Sequence, residues 1–123
     1  MPRNRKSAKA AGARFERLIS DHLAREIEPR IDRQVKRGAK DHGDIAGLTD
    51  THGRPIAIEC KDYGGRLLPT DWVRQAHTEA HNAGAHVGIV IAKRRGTTDP
   101  ARQWVLMEVG DLTRMLTPPQ EHP

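Results

Sequence analysis

Apolar residues near the start of the chain recur at intervals of three and four. Phe15, Leu18, Ile19, Leu23 and Ile27 make one stripe, which predicts a helix over residues 10–28 that Pro29 ends. Residues 31–36 read as a short strand. From Asp44 to Lys61 the period changes. Two apolar runs flank a polar turn in DIAGLTDTHGRPIAIECK, which predicts a β-hairpin. Val73, Ala76, Ala80 and Ala83 then form a small helical stripe, with Thr70 as the expected N-cap and Gly84 as the stop. HVGIVIA, residues 86–92, is apolar almost throughout, as a central or parallel strand would be. A last strand over 102–109 and a helix capped by Asp111 and ending near Leu116 complete the order. Residues 1–9 carry almost nothing apolar and predict a mobile arm. Residues 117–123 predict a disordered tail. The order helix, three strands, helix, two strands, helix suits one α/β domain over residues 10–116, a mixed central sheet flanked by helices.

The hairpin brings charge together. Strand side chains alternate between faces, so Ile56, Ile58 and Cys60 share a core face and Glu59 and Lys61 share the other, about 7 Å apart. A turn centred between Thr51 and His52 sets Asp44 opposite Glu59. A two-residue His52-Gly53 turn sets Asp44 opposite Lys61. Both registers put Asp44 on the Glu59–Lys61 face; a slip of one residue would remove it. Two carboxylates this close repel unless a positive group sits between them, and a hard divalent cation such as Mg²⁺ takes oxygen ligands of this kind. Asp41 is a rival carboxylate just before the strand. Tyr63 continues the same face by parity. His77 and His81, four apart, offer two ligands without a third, so zinc is not expected.

Charge narrows the partner. The net charge is +5. Residues 1–40 hold 12 Lys/Arg against 5 Asp/Glu, and the remainder holds 9 against 11. A basic front half before a carboxylate patch suits a protein that holds a phosphate backbone. Arg3, Arg5, Lys6 and Lys9 of the arm, Arg33, Lys36, Arg37 and Lys40 around the first strand, Arg66, and Lys93, Arg94 and Arg95 after the apolar strand are the expected DNA contacts. Phe15, Tyr63, Trp72 and Trp104 are the whole aromatic complement, which argues against a single-strand stacking platform. One cysteine, Cys60, excludes an intrachain disulfide. No run approaches the roughly 18 apolar residues of a membrane span, and the basic start lacks a signal-peptide core. A cytoplasmic, nucleoid-associated protein of bacterial or phage origin is expected, with no membrane partner.

Gly43-Asp44-Ile45 followed by Ile58-Glu59-Cys60-Lys61 resembles the core of the PD-(D/E)xK nuclease superfamily. More narrowly it is similar to the archaeal-type Holliday junction resolvases. Gly43 stands where the family pattern has Pro. The resemblance implies a restriction-endonuclease-like fold and a metal-dependent endodeoxyribonuclease, a homodimer that hydrolyses phosphodiesters at four-way junctions. It also implies a catalytic set of Glu16, Asp44, Glu59 and Lys61, with Gln75 on the second helix as a further candidate. Mg²⁺ or Mn²⁺ would be held by Asp44, Glu59, the Cys60 backbone carbonyl and Glu16. The alternatives are another nuclease of the superfamily, restriction-like or repair, and a DNA-binding module without catalysis.

Overall fold

Five strands form one mixed sheet in the order β1-β2-β3-β4-β5: β1 Asp32–Arg33, β2 Ile45–Ala46, β3 Ile56–Lys61, β4 Val87–Ala92 and β5 Trp104–Leu106. Only β3 and β4 run parallel, joined through the helix α2, Pro69–Ala83. The other neighbours are antiparallel. Helix α1, Arg5–Glu26, precedes the sheet, and α3, Val109–Leu116, closes it. The computed structural model describes residues 3–35 and 41–121. Among the described residues no helix is long and apolar enough to cross a membrane.

Strand alternation builds two cores. On one face Ile45, Ile56, Ile58, Val87, Ile89 and Ile91 pack with Phe15 and Ile19 of α1. On the other, Val90 and Ala92 pack with Trp72, Val73 and Ala76 of α2. Both faces of β3 and β4 are therefore covered. Ile58 is fully buried, and burial of such a side chain stabilises by about 1.5–3 kcal/mol. Helix α2 comes very close to the sheet at Gly88. A Cβ there would lie 2.2 Å from the Ala76 carbonyl oxygen, so only glycine fits.

The observed register pairs Ile45 with Ile58. Continued by one residue it sets Asp44 opposite Glu59, the first of the two alternatives. An isolated bridge pairs Thr49 with Pro55, so β2 carries one extra residue between positions 45 and 49, where Gly47 has a φ of +96°.

Several element ends differ from expectation. Helix α1 starts at Arg5, not near residue 10, because the Asn4 side chain accepts the Ser7 N–H at 2.8 Å and caps a polar first turn. Residues 5–9 are therefore helical, and Arg3 is docked rather than free: its Nη2 lies 3.1 Å from the Asp62 carboxylate. Helix α2 is capped at Leu68, with Pro69 in its first turn, so Thr70 is inside the helix. Residues 100–102 form a 3₁₀ turn capped by Asp99, which shortens β5. Asp111 is the third residue of α3, and its Oδ2 accepts the Glu108 N–H at 2.9 Å.

Candidate active site

Asp44 is fixed by backbone on three sides. Its N–H donates to the Ile58 carbonyl at 2.7 Å, its carbonyl accepts the Gln34 N–H at 2.8 Å, and its Oδ2 accepts the Cys60 N–H at 2.8 Å. Gly43 makes this approach available. Its φ is +101°, and a Cβ would stand 2.9 Å from the Ile58 oxygen that receives the Asp44 N–H. Proline, locked near −65°, cannot take that conformation, which accounts for the departure from the PD-(D/E)xK pattern.

Glu59 sits on β3, in the middle of the sheet, and is 5% exposed. Its Oε1 lies 3.3 Å from Lys61 Nζ and accepts the Gln75 amide at 3.4 Å. The same Gln75 nitrogen donates to Glu79 Oε1 at 3.3 Å. Glu79, one helical turn beyond Gln75, is 2% exposed and on the same α2 face. Among the described residues no donor reaches Oε2 of Glu59 or Oε2 of Glu79. Asp41 completes this cluster: one oxygen from each of Asp41, Glu59 and Glu79 lies within 4.8 Å of the others. Asp41 also accepts the Gly43 N–H through Oδ1, and its carbonyl accepts the Asn82 side chain of α2 at 3.0 Å.

Burial and mutual repulsion set the protonation of these groups. Desolvation, then the Glu59 charge, pushes the Asp44 carboxyl up to about 7 against the pull of the Cys60 N–H; Glu16 and Asp41 add to the rise. Desolvation and the neighbouring Glu59 and Asp41 carboxylates hold Glu79 well above the usual carboxylate range. Burial also pushes the Cys60 thiol up, helped by Asp44, Glu16, Glu59 and Glu79.

Glu16 comes from α1, on the opposite face of the sheet. It lines a cleft of about 670 Å³ with Asp44, Lys9, Arg33 and Gln34. Its ion partner is Arg33, 3.6 Å away, rather than Arg14 or Arg17. Lys61 opens on a second cleft, also about 670 Å³, which Arg3, Tyr63 and Arg66 share. Tyr63 is half exposed and leans on Trp72, with ring centroids 5.0 Å apart.

The remaining basic candidates divide. Arg5, Lys6 and Lys9 are exposed on the first turns of α1. Lys93 turns its ammonium back onto the carbonyls of Arg94 and Thr97 and so closes its own loop. Arg94 lies over the Trp104 ring at 4.5 Å. Arg95 packs where Gly65 leaves room, bringing the loops after β3 and β4 together. Lys36, Arg37 and Lys40 lie outside the described residues.

His77 does not pair with His81. Its Nε2 is 2.8 Å from Asp111 Oδ2, and Arg114 Nη2 is 2.7 Å from Asp111 Oδ1. Burial opposes ionisation of Asp111, yet His77, Arg114 and the Glu108 N–H together hold its pKa below the usual range. This is a satisfied cap between α2 and α3.

Sequence reasoning missed Glu79. The available signal was the spacing Gln75–Glu79, which puts both on one face of a helix. That the face turns toward Glu59 is decided by tertiary packing.

An α/β sheet of this order, with carboxylates from β3 and its hairpin partner beside a lysine two residues on, defines a nuclease-type catalytic domain of restriction-endonuclease-like fold. The restriction endonuclease family model matches residues 7–112, and the chain belongs to that family. No curated protein and no solved structure matches the chain. The family is one of nucleases acting on DNA, and such domains use divalent metals. The residues fit that requirement. Among the described residues, acidic oxygens of Asp41, Glu59 and Glu79 converge, and carboxylate oxygens are hard ligands of the kind Mg²⁺ and Mn²⁺ take.

Proposed function

We propose that the chain is a metal-dependent endodeoxyribonuclease that cuts branched DNA, in particular four-way junctions, as a homodimer. One observation carries the catalytic reading: the buried Glu59 lies 3.3 Å from Lys61 Nζ, with Asp44 facing it across the hairpin. Asp44, Glu59 and the Cys60 carbonyl are the ligands in this reading. Strand alternation supports the last of these, since the Cys60 N–H already faces Asp44. Bound there, a divalent ion supplies polarisation of a phosphoryl oxygen and a water of lowered pKa.

The chain's own groups do the rest. Lys61, anchored by Glu59, presents a cation at the cleft mouth where a scissile phosphate would lie, and it orients the attacking water or stabilises charge on the phosphorane. Gln75 holds Glu59 in its rotamer. Glu16, tethered to Arg33, approaches from α1 and completes the ligand shell. Arg66, Arg95, Arg5, Lys6 and Lys9 hold the backbone without reading sequence. Branched substrates and pairing of two copies rest on the resolvase resemblance, because a junction needs two symmetric cuts. The family match favours a second reading, a restriction-like enzyme that cuts linear duplex.

The test is cleavage of labelled junction, flap and linear duplex in Mg²⁺ by wild type and Asp44→Asn. Cutting of the junction by wild type alone is expected. Equal cutting by both proteins rejects the assigned site, and preference for linear duplex rejects the branched substrate.

A further inference from the structure

Three of the four aromatic rings are engaged within the fold. Phe15 and Trp72 are buried in the two cores, and Arg94 lies over Trp104. Tyr63 differs. It is 51% exposed and lines the cleft of about 670 Å³ onto which Lys61 opens. Its ring leans on the buried Trp72, which gives it a rigid shelf. Among the described residues nothing bonds its hydroxyl.

The backbone that carries Tyr63 is fixed on both sides. Asp62 Oδ1 accepts the Gly64 N–H at 3.0 Å, and the Tyr63 carbonyl accepts the Arg66 N–H at 3.2 Å. Arg3 donates twice to Asp62, to its carbonyl at 3.0 Å and to its carboxylate at 3.1 Å. Arg95 packs against Gly65 of the same turn. A ring held this way loses little freedom when a ligand covers it.

Arg3, Lys61 and Arg66 share the cleft with this ring. Cations take phosphates and an aromatic face takes a base, so together they suit one nucleotide. Every base has a π-face, and such a contact reads no sequence. A base inside a duplex already has both faces stacked. Drawing it out costs unstacking, least where pairing is already interrupted. Four aromatics are too few to track a single strand, but one ring needs only one base.

We propose that Tyr63 stacks one unpaired nucleobase beside the scissile phosphate, in the cleft onto which Lys61 opens, and so selects DNA at a break in base stacking. Arg3 and Arg66 hold the phosphates that flank this nucleotide. The inference rests on the nuclease reading, in which Lys61 faces the scissile phosphate. It adds the feature of the substrate that the protein itself recognises.

Binding of the full chain to two duplexes tests it, in chelator so that the strands stay whole. One duplex carries a single bulged adenine; the other has an abasic unit at that nucleotide. Wild type should bind the adenine bulge about fivefold to a hundredfold more tightly, the range for one stacked base. Tyr63→Phe should keep this preference, because the hydroxyl bonds nothing. Tyr63→Leu, which still covers Trp72, should bind both duplexes at the weaker affinity. With 2-aminopurine in place of the adenine, fluorescence should be quenched when wild type binds, a readout that needs no variant. Equal binding of the two duplexes by wild type, a preference that Tyr63→Leu retains, or 2-aminopurine that brightens on binding overturns the proposal. Each of these leaves the nuclease reading to its own cleavage test. A preference lost in Tyr63→Leu, in a wild type that cuts no DNA in Mg²⁺ or Mn²⁺, overturns the nuclease reading and leaves the stacking site standing.

Discussion

Removing divalent metal and raising the pH should destabilise this protein, against the trend of most carboxylate-rich folds. Asp44 is held up to about 7 in the folded chain by burial and by Glu59, against an ordinary value of 3.8. The folded state thus binds a proton that the unfolded state has released. Stability is complete below the unfolded value, falls as pH rises above about 4, and levels off once pH passes about 7. Each unit of difference is worth about 1.4 kcal/mol, so Asp44 alone removes on the order of 4 kcal/mol between those limits. That is a large part of a typical domain's 5–15 kcal/mol, the usual range. Glu79, raised in the same direction by burial and by Glu59, extends the decline to higher pH. A bound cation reverses the sign, because ionised carboxylates are its ligands and its binding releases the protons. The assay is urea unfolding followed by circular dichroism from about pH 5 to pH 9, in chelator and in Mg²⁺. In chelator the midpoint should fall with pH. Mg²⁺ should restore it mainly at the alkaline end. Asp44→Asn and Glu79→Gln should each flatten the chelator curve. A chelator midpoint that is flat or rises over this range, in wild type, would refute the reasoning.

Three further outcomes follow from particular contacts. Gly43→Ala should cost about 1–3 kcal/mol of unfolding free energy from its strained backbone, and cleavage should drop about a hundredfold as Asp44 shifts, measured by denaturation and single-turnover rates. Gly88→Ala would put a methyl 2.2 Å from the Ala76 oxygen and should destabilise by about 1–3 kcal/mol in thermal melts, with Mn²⁺ affinity nearly unchanged in the surviving fold. Lys61→Ala should leave Glu59 without its cation and lower the cleavage rate about a hundredfold or more, while junction binding in gel shifts changes little.

How much of this was readable beforehand depends on the range of the interaction. The hairpin turn and strand parity are local, so the residues facing Glu59 could be named from spacing, with two registers left open. Hydrogen bonding between Asp50 and Arg54 and the extra residue near Gly47 select one of them. Helix starts were less legible. Asn4 caps a polar turn that has no apolar stripe to announce it. Arg3 and Lys93 read as free phosphate ligands because their carbonyl and carboxylate partners are not encoded by neighbouring residue types. Asp41 read as a lesser candidate because it precedes the strand, yet its loop folds back onto α2 through Asn82.

By itself the chain order determined the elements, the apolar face of each, and the convergence of Asp44, Glu59 and Lys61 at one hairpin, since alternation and helical period are properties of neighbouring residues. Only the packed structure decided that α2 would cover the charged face of β3 and bring Gln75 and Glu79 onto Glu59. That contact depends on how closely the helix can approach the sheet at Gly88, a distance set by atoms far apart in the chain. The same approach removes water from the Glu59 and Glu79 carboxylates, so their burial is a property of the packed helix and sheet and not of residue spacing.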